Sequence, residues 1–379
     1  MRKTLLILLS GIFVLLLVGC NTFKNPNSDY CVEGNQEGVF LCKKIYTSYF
    51  DTAISLTLYV TEDDTFSVSE VFDDVESILS RYHQLMDKYH AYSGVVNVYS
   101  INHAAEGPIS IPRELYGAIS YGLAHDDEIV LDQVNLFNIA LNPVLEVWHD
   151  ARESALCEES LSLLYSVCPI PSEFIDEGNF ETDPDNILMN YENSTIEFLA
   201  DGMGIDLGGY GKGYVSELIT DILDQDQIKY ILNAGNSNVK AGGINPNNTD
   251  GLYYIALIRP SFDSQVAADY YAVLKIPSDV SVVTSGSNQR FFIGEEDGLV
   301  YHHIIDPRTN YPGGEALSVS IIYEDGALAD IYSTAIFLMT VVQGQTFVNE
   351  TAGLEAIWYL EDGTTVTSDG FETYLFELN

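Results

Sequence analysis

Ile205-Asp206-Leu207-Gly208-Gly209-Tyr210-Gly211-Lys212-Gly213-Tyr214 carries the strongest functional signal in the 379-residue chain. Its four glycines stand just ahead of an amphipathic stretch, 213–223, that reads as a helix. A glycine turn at a helix start leaves backbone N–H and C=O groups bare, and such a turn can cradle phosphate at the helix N-terminus. Lys212 adds a point charge for a phosphate oxygen. By itself such a run is more often just a tight corner; its neighbours in the chain decide.

Downstream, β-rich runs fall at 230–232, 253–258, 271–276, 280–283, 300–305, 317–322 and 354–359, interrupted by a second helical stretch at 328–341. Upstream, Ile54–Val60 alternates as a strand, and 194–199 reads as another. Apolar spacing predicts helices over 69–89, 114–123 and 136–152, with Ser69 as the first cap. Strands and helices do not alternate regularly. The expected fold is therefore α+β, with a β-rich C-terminal half and flanking helices, rather than a doubly wound sheet.

Three further segments carry chemistry. In Tyr301–Pro312 a strand bearing His303 runs into an Asp306-Pro307 turn. This suggests a proton acceptor with an orienting carboxylate, or else a capped turn with a satisfied histidine. Asp330 and Thr334 lie four apart on a helix start and offer hard oxygen ligands for Mg²⁺; Asp330 alone also suits an N-cap. Thr284-Ser285-Gly286 puts hydroxyls at a strand end, where a polar ligand or an ordinary hairpin accounts for them.

Lys and Arg total 16 against 56 Asp and Glu, a net charge of −40. No basic stripe meets phosphates, which argues against nucleic acid and against binding to anionic lipid through charge. Apolar residues at 46% and aromatics at 12% can bury a core. Arg2 and Lys3 precede an apolar run, 5–18, that is short for a membrane span and reads as a signal peptide. Its end, Leu17-Val18-Gly19-Cys20, resembles a bacterial lipobox. That resemblance implies cleavage before Cys20 and acylation of its thiol (palmitate is such a chain), an extracytoplasmic protein held at a membrane by lipid. The expected organisation is signal peptide 1–19, polar tether 20–45 and one catalytic unit 46–379. Cys31, Cys42, Cys157 and Cys168 suggest disulfides outside the cytoplasm; equal spacing favours 31–42 and 157–168 among three connectivities.

The order of these segments resembles the ApbE family of FAD:protein FMN transferases. Asp206–Tyr214 is similar to its Asp-Leu-Gly-Gly-x-Ala-Lys-Gly-Tyr signature, with Gly211 in place of Ala. Thr284–Gly286, His303–Pro312 and Ala329–Ala335 match its later elements. Asn310 replaces Gly, a mild change because Asn tolerates left-handed backbone. Phe50-Asp51-Thr52, Ser100-Ile101-Asn102 and Leu136-Phe137-Asn138 resemble its earlier ones, and Gly235-Asn236-Ser237 stands at its Gly-Gly-Asn.

The resemblance implies FAD as substrate, its isoalloxazine among Phe50, Tyr92 (or Tyr89), Leu136, Phe137 and Asn138. Its diphosphate would lie by the Asp206–Lys212 turn and the Ile305 backbone, and Thr284 would be a further cofactor-binding residue. Mg²⁺ would be held by a carbonyl of Gly209 or Gly211, by Asp330, and by Ser333 or Thr334. His303 would be the base, oriented by Asp306, with Asp306 itself the second choice. FMN would pass to a Thr or Ser hydroxyl of an acceptor, a membrane redox subunit or extracytoplasmic reductase, with AMP leaving. The alternatives are an FAD hydrolase giving FMN and AMP, and a non-catalytic flavin-binding lipoprotein.

Overall fold

The computed structural model describes residues 30–104, 107–159, 165–262 and 269–379. Cys20 and the expected signal peptide lie outside the described residues.

The framework is one antiparallel sheet of nine strands whose order in space is their order in the chain. They are β1 (Cys31–Glu33), β2 (Val39–Tyr49), β3 (Thr52–Thr61), β4 (Lys229–Ala234), β5 (Asn238–Gly242), β6 (Val280–Gly286), β7 (Ser318–Tyr323), β8 (Glu355–Tyr359) and β9 (Thr365–Thr367). Alternation sends the two faces to different partners. Tyr230, Leu232 and Ala234 of β4 join Leu56 and Leu58 of β3 against helices on one face. Val239, Ala241, Val282 and Ile322 meet, on the other, a small sheet of strands Tyr253–Ile258, Tyr270–Ile276 and Leu375–Leu378. The α+β expectation holds, with the chain making long excursions between adjacent strands.

Those excursions carry the helices. Between β3 and β4 come α1 (Val68–Met86), α2 (Arg113–Ala124), α3 (Asn142–Arg152) and α4 (Gly211–Gln225); between β7 and β8 come α5 (Gly326–Phe337) and α6 (Val341–Glu350). Helix α4 lies on β4 and β5, and α5 crosses it closely. The crossing depends on Gly213: a Cβ there would collide with the Gly326 carbonyl and stand 2.9 Å from the Asp330 Cβ.

The tether expected over 20–45 does not reach that far. Cys31–Glu33 and Val39–Tyr49 are strands of the main sheet, and the Cys31–Cys42 disulfide joins directly paired positions. The reading missed them because β1 is three residues long and β2 mixes lysines into its apolar positions. The second favoured disulfide, Cys157–Cys168, is also formed. Helix α1 starts after Ser67, not Ser69, and stops at Met86 rather than Tyr89. The helix expected over 136–152 begins only at Asn142, after a single 3-10 turn over Ile139–Leu141. Asn310 takes the left-handed backbone expected of a glycine substitute, at φ 61°.

Candidate active site

A cleft of about 520 Å³ opens where the end of α1, the β2–β3 hairpin tip and the glycine corner meet. This is the size range of small-molecule sites. Its origin is local. Asp87 leaves the helix at ψ 119° and accepts the N–H groups of Tyr89 and His90, at 2.7 and 3.0 Å. An Asx turn of this kind competes with helix continuation. It ends α1 and swings Lys88 and Tyr89 into the cleft wall. Tyr92 donates its hydroxyl to the other Asp87 oxygen at 2.7 Å. The hairpin tip supplies Phe50, whose ring packs edge-on to His83.

The floor is the corner 206–212. Gly208 N–H closes onto Asp206 Oδ1 at 2.6 Å, curling the chain into the start of α4. Asp206 Oδ2 is 2.7 Å from the ammonium of Lys88, which also donates to Asn142 Oδ1 at 2.8 Å. Burial opposes the charge on Asp206, but Lys88 and the Gly208 N–H outweigh it, so its carboxyl titrates below the usual range. Burial likewise opposes the Lys88 charge, and Asp206 outweighs that, leaving the ammonium raised. Lys88 escaped the sequence reading. Its one signal was scarcity: the chain has 16 basic residues against 56 acidic.

Asp330, on α5, faces the same corner. Its buried carboxylate accepts the N–H of Gly213 at 2.9 Å. Burial pushes its carboxyl up, with Lys212 and the Gly213 N–H only partly offsetting this. Ser333 and Thr334 donate their hydroxyls to the Asp330 carbonyl at 3.0 and 3.2 Å. Ser333 also shares a 2.8 Å hydrogen bond with Ser285, tying α5 to β6. No cluster of three Asp, Glu, His or Cys suited to a metal exists among the described residues.

Of the expected site residues, Phe50, Tyr92, Asp206, Gly211 and Lys212 line the cleft, and Gly209 sits in the exposed corner beside it. Others are not among the residues lining it. Leu136 and Phe137 are core residues, Phe137 backing the corner edge-on to Tyr210. Asn138 spends both ends of its amide on the chain: it caps the 3-10 turn through Ala140 N–H and donates to the Thr182 carbonyl, each at 2.8 Å. Thr284 pairs with Ser320 at 2.7 Å, and Ile305 is buried with Trp148 and Phe292.

The expected His303–Asp306 pairing is not formed. Asp306 is held by Arg308, whose Nε and Nη2 reach its carboxylate at 2.9 and 2.7 Å, and Arg308 also caps the end of α5 through the Leu338 carbonyl. A bidentate guanidinium is the stronger competitor for a carboxylate than a neutral imidazole. His303 instead has an enclosed Nδ1 without a hydrogen-bond partner among the described residues. Burial, then the nearby His302, Arg290 and Lys212, push its pKa down to about 3, so the ring is neutral.

A model of the ApbE family matches residues 50–358. The FAD:protein FMN transferase of Klebsiella pneumoniae is 28% identical over 312 residues, covering 79% of this chain and 87% of that protein. The one of Treponema pallidum is 26% identical over 275 residues, 70% of this chain and 71% of its own. Among solved structures, the ApbE protein of Thermotoga maritima overlays with a TM-score of 0.71 at 24% identity, spanning 89% of this chain and 100% of that one. The flavinyl transferase ApbE of Pseudomonas stutzeri gives 0.68 at 19% identity, over 88% and 96%. Sheet order, glycine corner and the match over most of the chain agree: this chain belongs to the ApbE family.

Proposed function

We propose that the chain is an FAD:protein FMN transferase that uses Mg²⁺, passes FMN from FAD to a Thr or Ser hydroxyl of an acceptor protein, and releases AMP. The observation that carries this is Asp330: a buried carboxylate, short of compensating charge, at the N-terminal glycines of α4 where Lys212 enters the cleft.

The residues present fit a hard cation. Mg²⁺ is characteristically held by one or two carboxylates, neutral oxygens and substrate phosphate. Asp330 would supply the carboxylate, Gly209 or Gly211 a carbonyl, and Ser333 or Thr334 a hydroxyl oxygen. When bound, the ion neutralises charge on the diphosphate.

The chain's own residues do the rest. Phe50, Tyr89 and Tyr92 offer aromatic faces to the isoalloxazine. The Lys212 ammonium, at the start of α4 beside the glycine corner, holds the diphosphate in place. The acceptor oxygen bonds to the FMN-side phosphorus as the bond to the AMP oxygen breaks. Neutral His303 takes the acceptor's proton. Its basicity is low before substrate binds, and an anionic diphosphate nearby raises it. Asp306, committed to Arg308, steadies the turn instead.

Both disulfides support an extracytoplasmic site of action, and Cys20 is the residue for lipid attachment. The acceptor is a protein with an accessible Thr or Ser, of the membrane-redox or reductase kind.

The test is mass spectrometry of an acceptor after incubation with FAD and Mg²⁺. The wild-type chain leaves an FMN adduct and Asp330→Ala leaves none. Full labelling by that variant would remove Asp330 from the site, and free FMN without adduct would make the chain a hydrolase.

A further inference from the structure

Three cationic side chains line the cleft, and they are not equivalent. Lys88 is consumed by Asp206 at 2.7 Å, while Lys212 and Arg290 remain. Arg290 has an anchored backbone: its carbonyl accepts the His303 N–H at 3.0 Å. Its guanidinium stands 3.9 Å from Asp51 Oδ2, beyond direct hydrogen-bond range. Both side chains are substantially exposed, at 49% and 74%. An exposed pair of this kind shifts an equilibrium by about 5-fold at most.

Asp51 is held opposite Arg290 by backbone geometry. Tyr49 pairs with Thr52, leaving Phe50 and Asp51 as a two-residue turn with φ of 55° and 52°. Turns of this handedness match strand twist but need left-handed residues, which Asp tolerates and Phe does not. The turn therefore presents a carboxylate, at some backbone cost, to a cation facing the cleft. The Arg290 charge is already felt inside: it helps hold the Asp206 carboxyl down and the His303 ring neutral.

We infer that Asp51 and Arg290 form an exchangeable pair at the cleft mouth, in which the substrate's diphosphate displaces Asp51 and takes Arg290 as a second phosphate contact after Lys212. This rests on the FAD reading above. A phosphate offers the guanidinium two oxygens and more charge than one exposed carboxylate, so it wins the exchange. Asp51 then sets a toll on phosphate-bearing ligands: displacing it from Arg290 subtracts from their affinity, while a ligand without phosphate leaves the pair intact and its affinity unchanged.

The experiment is calorimetric titration of the full folded chain with FAD and, separately, riboflavin, which has no phosphate. Asp51→Asn keeps a residue suited to left-handed backbone and removes the charge. It is expected to bind FAD about 2–5-fold more tightly, with riboflavin unchanged. Arg290→Gln is expected to bind FAD about 10-fold more weakly, and adding Asp51→Asn to it should change nothing further. If wild-type chain binds FAD and Asp51→Asn does not bind it better, or gains equally for riboflavin or in the Arg290→Gln background, the exchange is refuted. If wild-type chain binds no FAD, the transferase reading fails with it.

Discussion

A buried lysine keeps its proton only against an anion, and Lys88 and Asp206 satisfy each other across 118 residues of sequence. Lys88→Met would strand the Asp206 charge, and breaking a buried pair costs about 3 kcal/mol. The pH dependence has a definite sign. Asp206 titrates below its unfolded value, so its contribution is full above pH ~4 and is lost as pH falls through the lowered pKa. Lys88 titrates above its own, so its contribution is full below pH ~10 and is lost above that. Denaturant unfolding of Lys88→Met against wild type should show its largest gap near neutrality and a shrinking one in acid. Asp330 has the opposite sign: a raised carboxyl means that ionisation weakens the fold as pH rises. Asp330→Asn, which can still accept the Gly213 N–H, should melt higher than wild type without Mg²⁺. Added Mg²⁺ should raise the melting temperature of wild type and leave the variant unmoved.

Elements meet at two places that set the site. The first is the early end of α1, where Asp87 diverts Lys88 and Tyr89. Helical spacing ran on through Tyr89 because Leu85 is the last residue needed for the apolar stripe and nothing in the periodicity marks an Asx turn. The second is the α4–α5 crossing at Gly213. Gly213→Ala must push the Gly326 backbone and Asp330 away. Overpacking of this sort costs about 1–3 kcal/mol. Thermal unfolding should report that loss, and FAD affinity should fall by more than stability alone accounts for, since the shift lands on Asp330. An unchanged crystal position of Asp330 in Gly213→Ala would count against this coupling.

At the scale of the molecule, the two disulfides act on different regions. Cys31–Cys42 staples the edge strand β1 to its neighbour β2. Cys168 packs with Trp148, Phe292 and Ile305, beneath the segment that carries Arg290 and His303. Each closes a loop with a sequence separation of 11, worth about 3 kcal/mol in the chain-entropy account. Paired Cys→Ser variants should therefore lose similar stability by denaturant unfolding. Only Cys157→Ser/Cys168→Ser should also lose FAD affinity by titration; equal binding by both variants would separate the lower cluster from the cleft.

The sequence by itself determined what local chemistry dictates. The glycine corner, the left-handed Asn310, the irregular succession of strands and helices, and the polar residues Asp206, Lys212 and Asp330 were all legible, because spacing and residue type suffice for them. Leu136, Phe137 and Asn138, expected at the ligand, stand in the core and at a 3-10 cap, positions that only their neighbours could reveal. The Asp306 carboxylate went to Arg308, only two residues on, while Lys88 and Arg290 were decided by tertiary structure alone. A charge takes whichever opposite charge the fold brings within about 3 Å, and that distance is set by strands and helices far apart in the chain.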